Sequence, residues 1–145
     1  MIPLFGYGTF RRTAWRCAIL GADYPCGPAT LSGYRRVATP QGYLSLRETL
    51  APLPPVAGVL VELDAIGWEV ADAWEEVPRY HRVAVVVSTM FGPRDAAAYV
   101  YGDDPSAPLH PVNDDCLATL DDREVEASIA AFEHSMRVIR ARYDA

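Results

Sequence analysis

The stretch Leu4-Phe5-Gly6-Tyr7-Gly8-Thr9-Phe10 is a short apolar strand that runs straight into a glycine-bracketed turn. Leu4 and Phe5 have the character of a buried strand end. Gly6 and Gly8 permit backbone angles and a closeness of approach that a side chain would block. Thr9 is placed to cap the next segment, and Arg11-Arg12-Thr13-Ala14-Trp15-Arg16 is compatible with a short helix. A strand, a tight turn and a helix start together aim several backbone N–H groups at one place, which is a general device for holding a carboxylate or phosphate. Taken alone, a Gly-x-Gly also serves simply to turn the chain.

Two better-known glycine turns do not fit. In a dinucleotide fingerprint the third glycine would fall at Arg11, and no long helix with a following parallel strand and acidic ribose contact is evident. A phosphate-binding P-loop needs a lysine, and the chain contains none, which also removes Schiff-base chemistry. The turn reads as a cradle for a small ligand.

The chain has 145 residues and is expected to form one domain, 1–145, with a core that needs no staples. Its formal charge of −6 argues against a nucleic-acid backbone or an anionic membrane as partner. An anionic ligand must then be held by local donors; Arg11, Arg12, Arg16, Arg35 and Arg36 predict a positive patch near the cradle. Cys17, Cys26 and Cys116 are odd in number and without a CxxC, as expected of free thiols in a reducing compartment. The opening residues lack the basic lead and apolar run of a signal peptide, and no apolar segment approaches spanning length. A cytoplasmic protein is the expectation; oligomeric state is open.

Along the chain, Thr13–Leu20 reads as a helix stopped by Gly21, and Ala29–Val37 as a strand with a bulge or close crossing at Gly33. Another strand comes at Tyr43–Arg47, and Pro52, Pro54 and Pro55 form a stiff surface connection. Val56–Leu63 is the clearest β run so far. Asp64 then caps a helix, Ala65–Glu75, with Ile66, Val70 and Trp74 near one face, and Val77-Pro78 ends it. Val83–Val87 predicts a buried strand, joined across a Gly92-Pro93 turn to Ala96–Tyr101. Asp103–Asp115 is loop-rich and holds the only asparagine, Asn113. The final helix, capped by Asp121 or Asp122, recurs as Val125, Ile129, Phe132, Met136, Ile139 and Tyr143 down one face and is expected to cover the sheet. The pattern predicts an α+β fold with a strongly curved or closed sheet.

His81, His110 and His134 have no partners at metal-ligand spacing, and no serine sits in a nucleophile elbow; no metal or cofactor is expected. Ala71-Asp72-Ala73-Trp74-Glu75-Glu76 remains. Asp72 and Glu75 share a helix face. A carboxylate at the C-terminal end of a helix meets an unfavourable dipole, and burial beside Trp74 adds desolvation, so its pKa rises toward an acid/base range. The alternative is that Glu75 and Glu76 are simply solvated residues at a helix end, the commoner fate of such pairs.

Several pieces occur in a specific order: Tyr7-Gly8-Thr9-Phe10, Leu31-x-Gly33-Tyr34-Arg35, Gly58-Val59-Leu60-Val61-Glu62-Leu63, Asp72-x-Trp74-Glu75 with Tyr80-x-Arg82, and Ala98-Tyr99-Val100-Tyr101. The set resembles the γ-glutamylcyclotransferase-like family, which includes the AIG2-like proteins. The match runs from about residue 4 to 101. It implies a small, mixed but largely antiparallel β-barrel flanked by short helices, here with a long C-terminal helix, and a cavity at the barrel mouth.

By the same resemblance Tyr7, Gly8, Thr9 and Phe10 hold a substrate α-carboxylate, Glu75 is the catalytic acid/base, and Tyr99 borders the pocket. Ala71 stands where the family has leucine and Glu76 where it has glycine, so a slip of one residue would move the acid/base to Glu76. The implied reaction is intramolecular attack by the α-amine of a small γ-glutamyl amide, releasing 5-oxoproline and a free amine without metal or cofactor. A biosynthetic intermediate masked by glutamyl is one such substrate. The alternatives are a non-catalytic member that keeps the barrel and binds a small carboxylated ligand, and a structural or interaction role. Tyr43–Pro55 and the loop after Tyr101 are expected to read the amine.

Overall fold

Strand β1, Leu4–Gly6, is apolar throughout because both of its faces are covered. Successive strand residues point to opposite sides. Leu4 packs under the helices with Ile19, Leu20 and Val70, while Phe5 packs inside the barrel with Leu31, Val56 and Val87. The computed structural model describes residues 2–40, 42–76, 79–102, 110–112 and 116–144.

After a single 3-10 turn, Thr9–Arg11, the elements run α1 (Thr13–Leu20), β2 (Cys26–Leu31), β3 (Tyr34–Ala38), β4 (Leu44–Glu48), β5 (Val56–Val61), α2 (Ala65–Trp74), β6 (Tyr80–Thr89), β7 (Gly92–Tyr101), β8 (His110–Pro111) and α3 (Asp122–Ala141). Five strands close a barrel in the order β1-β5-β2-β6-β7, and β4-β3-β8 form a separate three-stranded sheet. The barrel pairs are antiparallel except at the closure, where Leu4 of β1 lies parallel to Ala97 of β7. The opening strand is locked in register by Leu4↔Val61, Phe5↔Leu60 and Gly6↔Val59, which delivers the following turn to the barrel mouth. The mixed α+β architecture, the closed and largely antiparallel barrel and the long last helix are those expected.

The caps obey local chemistry. Asp64 Oδ1 accepts from the Gly67 N–H at 2.7 Å and starts α2; Asp121 Oδ1 accepts from the Glu124 N–H at 2.8 Å and starts α3. Thr9 does not cap. Gly8 stands at the cap of the 3-10 turn, Arg12 at that of α1, and neither makes a side-chain capping bond.

Four further expectations are corrected. Ala29–Val37 is two strands, because Gly33 at φ 82° turns the chain out of the barrel and into the second sheet. Val83–Val87 is not buried throughout: Val85 and Val87 face the barrel interior and Val86 is 60% exposed, so β6 is covered on one face at this point. The β6–β7 turn is Met90-Phe91, since Thr89 pairs with Gly92 and Pro93 lies within β7 opposite Ser88. Helix α3 packs on α1 and α2 rather than over the sheet. Arg140 donates to the Leu20 carbonyl at 2.7 Å, and Arg142 pairs with Glu69 at 3.1 Å. Val77-Pro78, Asn113 and much of the 103–115 loop lie outside the described residues. Cys17, Cys26 and Cys116 are free. No helix among the described residues is long and apolar enough to cross a membrane.

Candidate functional site

The turn after β1 is held by its carbonyls. The Tyr7 carbonyl accepts from Arg36 Nε at 3.0 Å and the Phe10 carbonyl from an Arg16 guanidinium nitrogen at 2.9 Å. The carbonyls of Gly8 and Thr9 accept from the N–H groups of Arg11 and Arg12 at 3.0 and 3.4 Å. The N–H groups of Gly8, Thr9 and Phe10 donate to no group among the described residues. A trans peptide directs N–H away from C=O. Anchoring the Tyr7 carbonyl on Arg36 therefore points the Gly8 N–H in the opposite direction within the peptide plane, away from Arg36. All four residues line one cavity of about 600 Å³. Gly8 is there because a Cβ would stand 3.0 Å from the Leu117 carbonyl oxygen and 3.2 Å from a Leu44 methyl.

Glu75 and Tyr99 open on the same cavity. Glu75 is the C-cap residue of α2, its N–H donating to the Ala71 carbonyl at 2.9 Å. Only part of its side chain reaches the cavity's free space, and it makes no side-chain hydrogen bond or ion pair among the described residues. Burial, followed by the carboxylates of Asp72 and Glu76, pushes its pKa up to about 8. Its charge is felt by Tyr7, Tyr80 and Tyr99, each raised above the ordinary tyrosine value chiefly by burial.

The tyrosines are pinned. Tyr7 donates to the Tyr99 carbonyl, Tyr80 to the Leu44 carbonyl at 2.7 Å, and Tyr99 to Asp72 Oδ1. Asp72 in turn takes both arms of Arg82, whose guanidinium lies 4.3 Å from the centre of the Trp68 ring. Asp72 is thus neutralised from one side while its charge still acts on Glu75. This places an ionisable carboxyl next to a ring of hydroxyls that are already committed.

Glu76 differs. It lines the same cavity, but it is exposed, adopts φ 54° and pairs with Arg79 at 3.2 Å. None of the five arginines expected to form a positive patch is in the described lining: Arg16 is buried on the Phe10 carbonyl, the Thr13 hydroxyl and the Cys26 sulfur, Arg36 is buried on carbonyls, and Arg12 pairs with Asp122 at 3.0 Å. Arg79 is the one basic residue in the described lining, and no histidine belongs to it. No group of His, Cys, Asp and Glu suited to a metal ion exists among the described residues. Sequence reasoning missed the anchoring by Arg16 and Arg36, the Tyr80 hydroxyl, and the contribution of Val125, Ser128, Ala131, Phe132 and Ser135 of α3 to the wall. Tyr43 and Leu44 do line it, as expected of their region. The α3 face was visible only as a helical apolar stripe, which does not say what lies against it.

Comparison with known proteins bears directly on this arrangement. The family model "gamma-glutamyl cyclotransferase, AIG2-like" matches residues 4–123, which takes in the cradle, α2 and the barrel. The chain belongs to that family. Among solved structures, this AIG2-like chain is similar to a γ-glutamyl cyclotransferase at 16% identity, over 90% of this chain and 98% of that one, with a TM-score of 0.60. It is similar to an AIG2-like protein from Mus musculus at 15% identity, over 84% and 97%, TM-score 0.57. A protein from Arabidopsis thaliana is matched at 19% identity, over 97% and 92%, TM-score 0.62. At such identities the likeness is one of fold. No curated protein sequence matches the chain.

Proposed function

We propose that this AIG2-like chain is a γ-glutamyl cyclotransferase, with Glu75 as acid/base and the Tyr7–Phe10 turn as the seat of the substrate α-carboxylate. The observation that carries the reading is that one cavity of about 600 Å³ is lined both by Gly8, Thr9 and Phe10, whose N–H groups donate to no group among the described residues, and by Glu75, whose carboxyl is pushed up to a pKa of about 8 by burial. A further detail supports Glu75 over Glu76. The resembled pattern has glycine where Glu76 stands, and Glu76 is the residue with positive φ, the conformation that favours glycine.

The chemistry asks little of the protein. A γ-glutamyl amide carries its own nucleophile, one five-membered ring away from the γ-carbonyl. With the α-carboxylate seated, the chain is folded back so that the amine meets that carbon. Holding such a geometry is worth effective molarities on the order of 10⁵ M or more. Glu75 takes a proton from the α-ammonium; the freed amine bonds to the carbonyl carbon of the γ-amide; Glu75 returns that proton to the departing nitrogen as the tetrahedral centre collapses, and the ring nitrogen gives its second proton to the released amine or to solvent. The amide C–N bond breaks, and 5-oxoproline and an amine leave. A positioned acid/base contributes roughly 10²–10⁴-fold.

The test is 5-oxoproline release from γ-glutamyl amides by the native protein and by Glu75→Gln. Release by the native protein alone supports the reading. Equal release by both removes Glu75 from its role. Ligand binding with no release by the native protein favours a binding-only member of the fold.

A further inference from the structure

Beyond the turn and Glu75 the cavity wall has an apolar portion beside the hydroxyls of Thr119, Ser128 and Ser135. That portion includes Leu44, Trp74, Leu117, Leu120 and Phe132, all only partly buried although apolar. Trp74 and Phe132 meet edge to face with ring centres 5.3 Å apart, joining the end of α2 to α3. A third ring or an alkyl chain adds to such a pair by the same contacts. The only cation of the described lining, Arg79, is already paired with Glu76 at 3.2 Å. A carboxylate brought into this part of the cavity would lose water and meet no uncommitted cation in the described lining.

We propose that the leaving amine carries an uncharged, apolar substituent of aryl-alkyl or alkyl type, and that Trp74, Phe132 and Leu120 form the subsite that reads it. The inference rests on the cyclotransferase reading and narrows it. A dipeptide or amino-acid leaving group with its own carboxylate is the wrong substrate class for this wall. The same surface explains why α3 carries Phe132 half-buried on its inner face rather than fully packed on α1 and α2. The γ-glutamyl head sets the reaction; this subsite sets which amine it acts on.

A series with one head and different tails separates the two claims. The native protein is offered γ-glutamyl phenethylamide, butylamide, aminoethylamide and γ-glutamylglycine, and 5-oxoproline is measured. The expected order of kcat/KM is phenethyl, then butyl, then the two charged tails, with the first exceeding γ-glutamylglycine by about tenfold or more. Phe132→Ala is expected to lower that ratio severalfold, and Leu120→Arg to raise γ-glutamylglycine relative to the phenethylamide. Turnover of all four at similar rates, or fastest with a charged tail, overturns the subsite while the cyclotransferase reading stands. No turnover with any tail overturns that reading and the subsite with it.

Discussion

Arg36 Nε donates to the carbonyl oxygen of Tyr7 at 3.0 Å, and the rest of its guanidinium reaches the Ala57 carbonyl. A fully buried cation thus ties β3 to the turn after β1 and to β5, three segments distant in the chain. Replacing it with methionine keeps much of the bulk and takes the donor from the buried Tyr7 carbonyl, at about 1–3 kcal/mol, and from the partly buried Ala57 carbonyl, at less. Arg36→Met is expected to lower unfolding stability by about 2–5 kcal/mol in urea. It is also expected to weaken binding of 5-oxoproline, because the Gly8 N–H is no longer aimed. A loss under about 1 kcal/mol would show that the anchor is dispensable.

Glu75 makes a pH signature of its own. Its ordinary value is 4.5 and its folded value about 8. Between the two, the folded chain keeps a proton that the unfolded chain has given up, so stability falls as pH rises from 4.5 to about 8. The penalty is absent below that window and complete above it, on the order of a few kcal/mol at about 1.4 per unit. Glutamine does not titrate. Thermal melts should find Glu75→Gln level with the native protein at about pH 4 and more stable by about pH 9, and parallel profiles would refute the buried charge. Under the proposed mechanism the direction reverses: the base form of Glu75 takes the proton, so kcat/KM should climb with pH to a plateau above about 8.

How much of this the sequence carried depends on the kind of signal. Leu4-Phe5-Gly6-Tyr7-Gly8 has local causes for its shape, and Asp64 and Asp121 announce their helices by capping chemistry, so these were readable. Helix position and resemblance single out Glu75, and its cavity setting is what the fold adds. Arg36 was not readable as an anchor, because an arginine in Tyr34-Arg35-Arg36-Val37 looks like surface charge until the partner carbonyls of Tyr7 and Ala57 are brought to it. Gly33 suggested a bulge, but one glycine does not distinguish a bulge from the turn that leaves the barrel. The α3 stripe had the same limit: periodicity shows a face, not the helices and cavity that meet it.

Asp72 offers a way to separate an electrostatic role from a structural one. It holds Arg82 and accepts the Tyr99 hydroxyl, and its charge helps hold the Glu75 pKa up. Asp72→Asn keeps the shape and removes the charge, so the Glu75 pKa falls and the rising limb of kcat/KM should move to lower pH. A variant that lost activity without moving the limb would mark Asp72 as a packing residue only.

Glu76 is the remaining carboxylate at the helix end, and substitution by glycine settles its part. Its φ of 54° costs a non-glycine residue about 1–2 kcal/mol, which glycine avoids. Against that, glycine loses more freedom on folding, by roughly 0.5–1 kcal/mol. The ion pair to Arg79 is exposed on both sides and is worth about 0–1 kcal/mol. These nearly cancel, so Glu76→Gly should leave urea stability within about 1 kcal/mol of native. Its charge also contributes to the raised Glu75 pKa, so the activity limb should move slightly toward acid. Turnover of γ-glutamyl amides should survive at the plateau. Loss of turnover with the fold intact would transfer the acid/base role from Glu75 to Glu76.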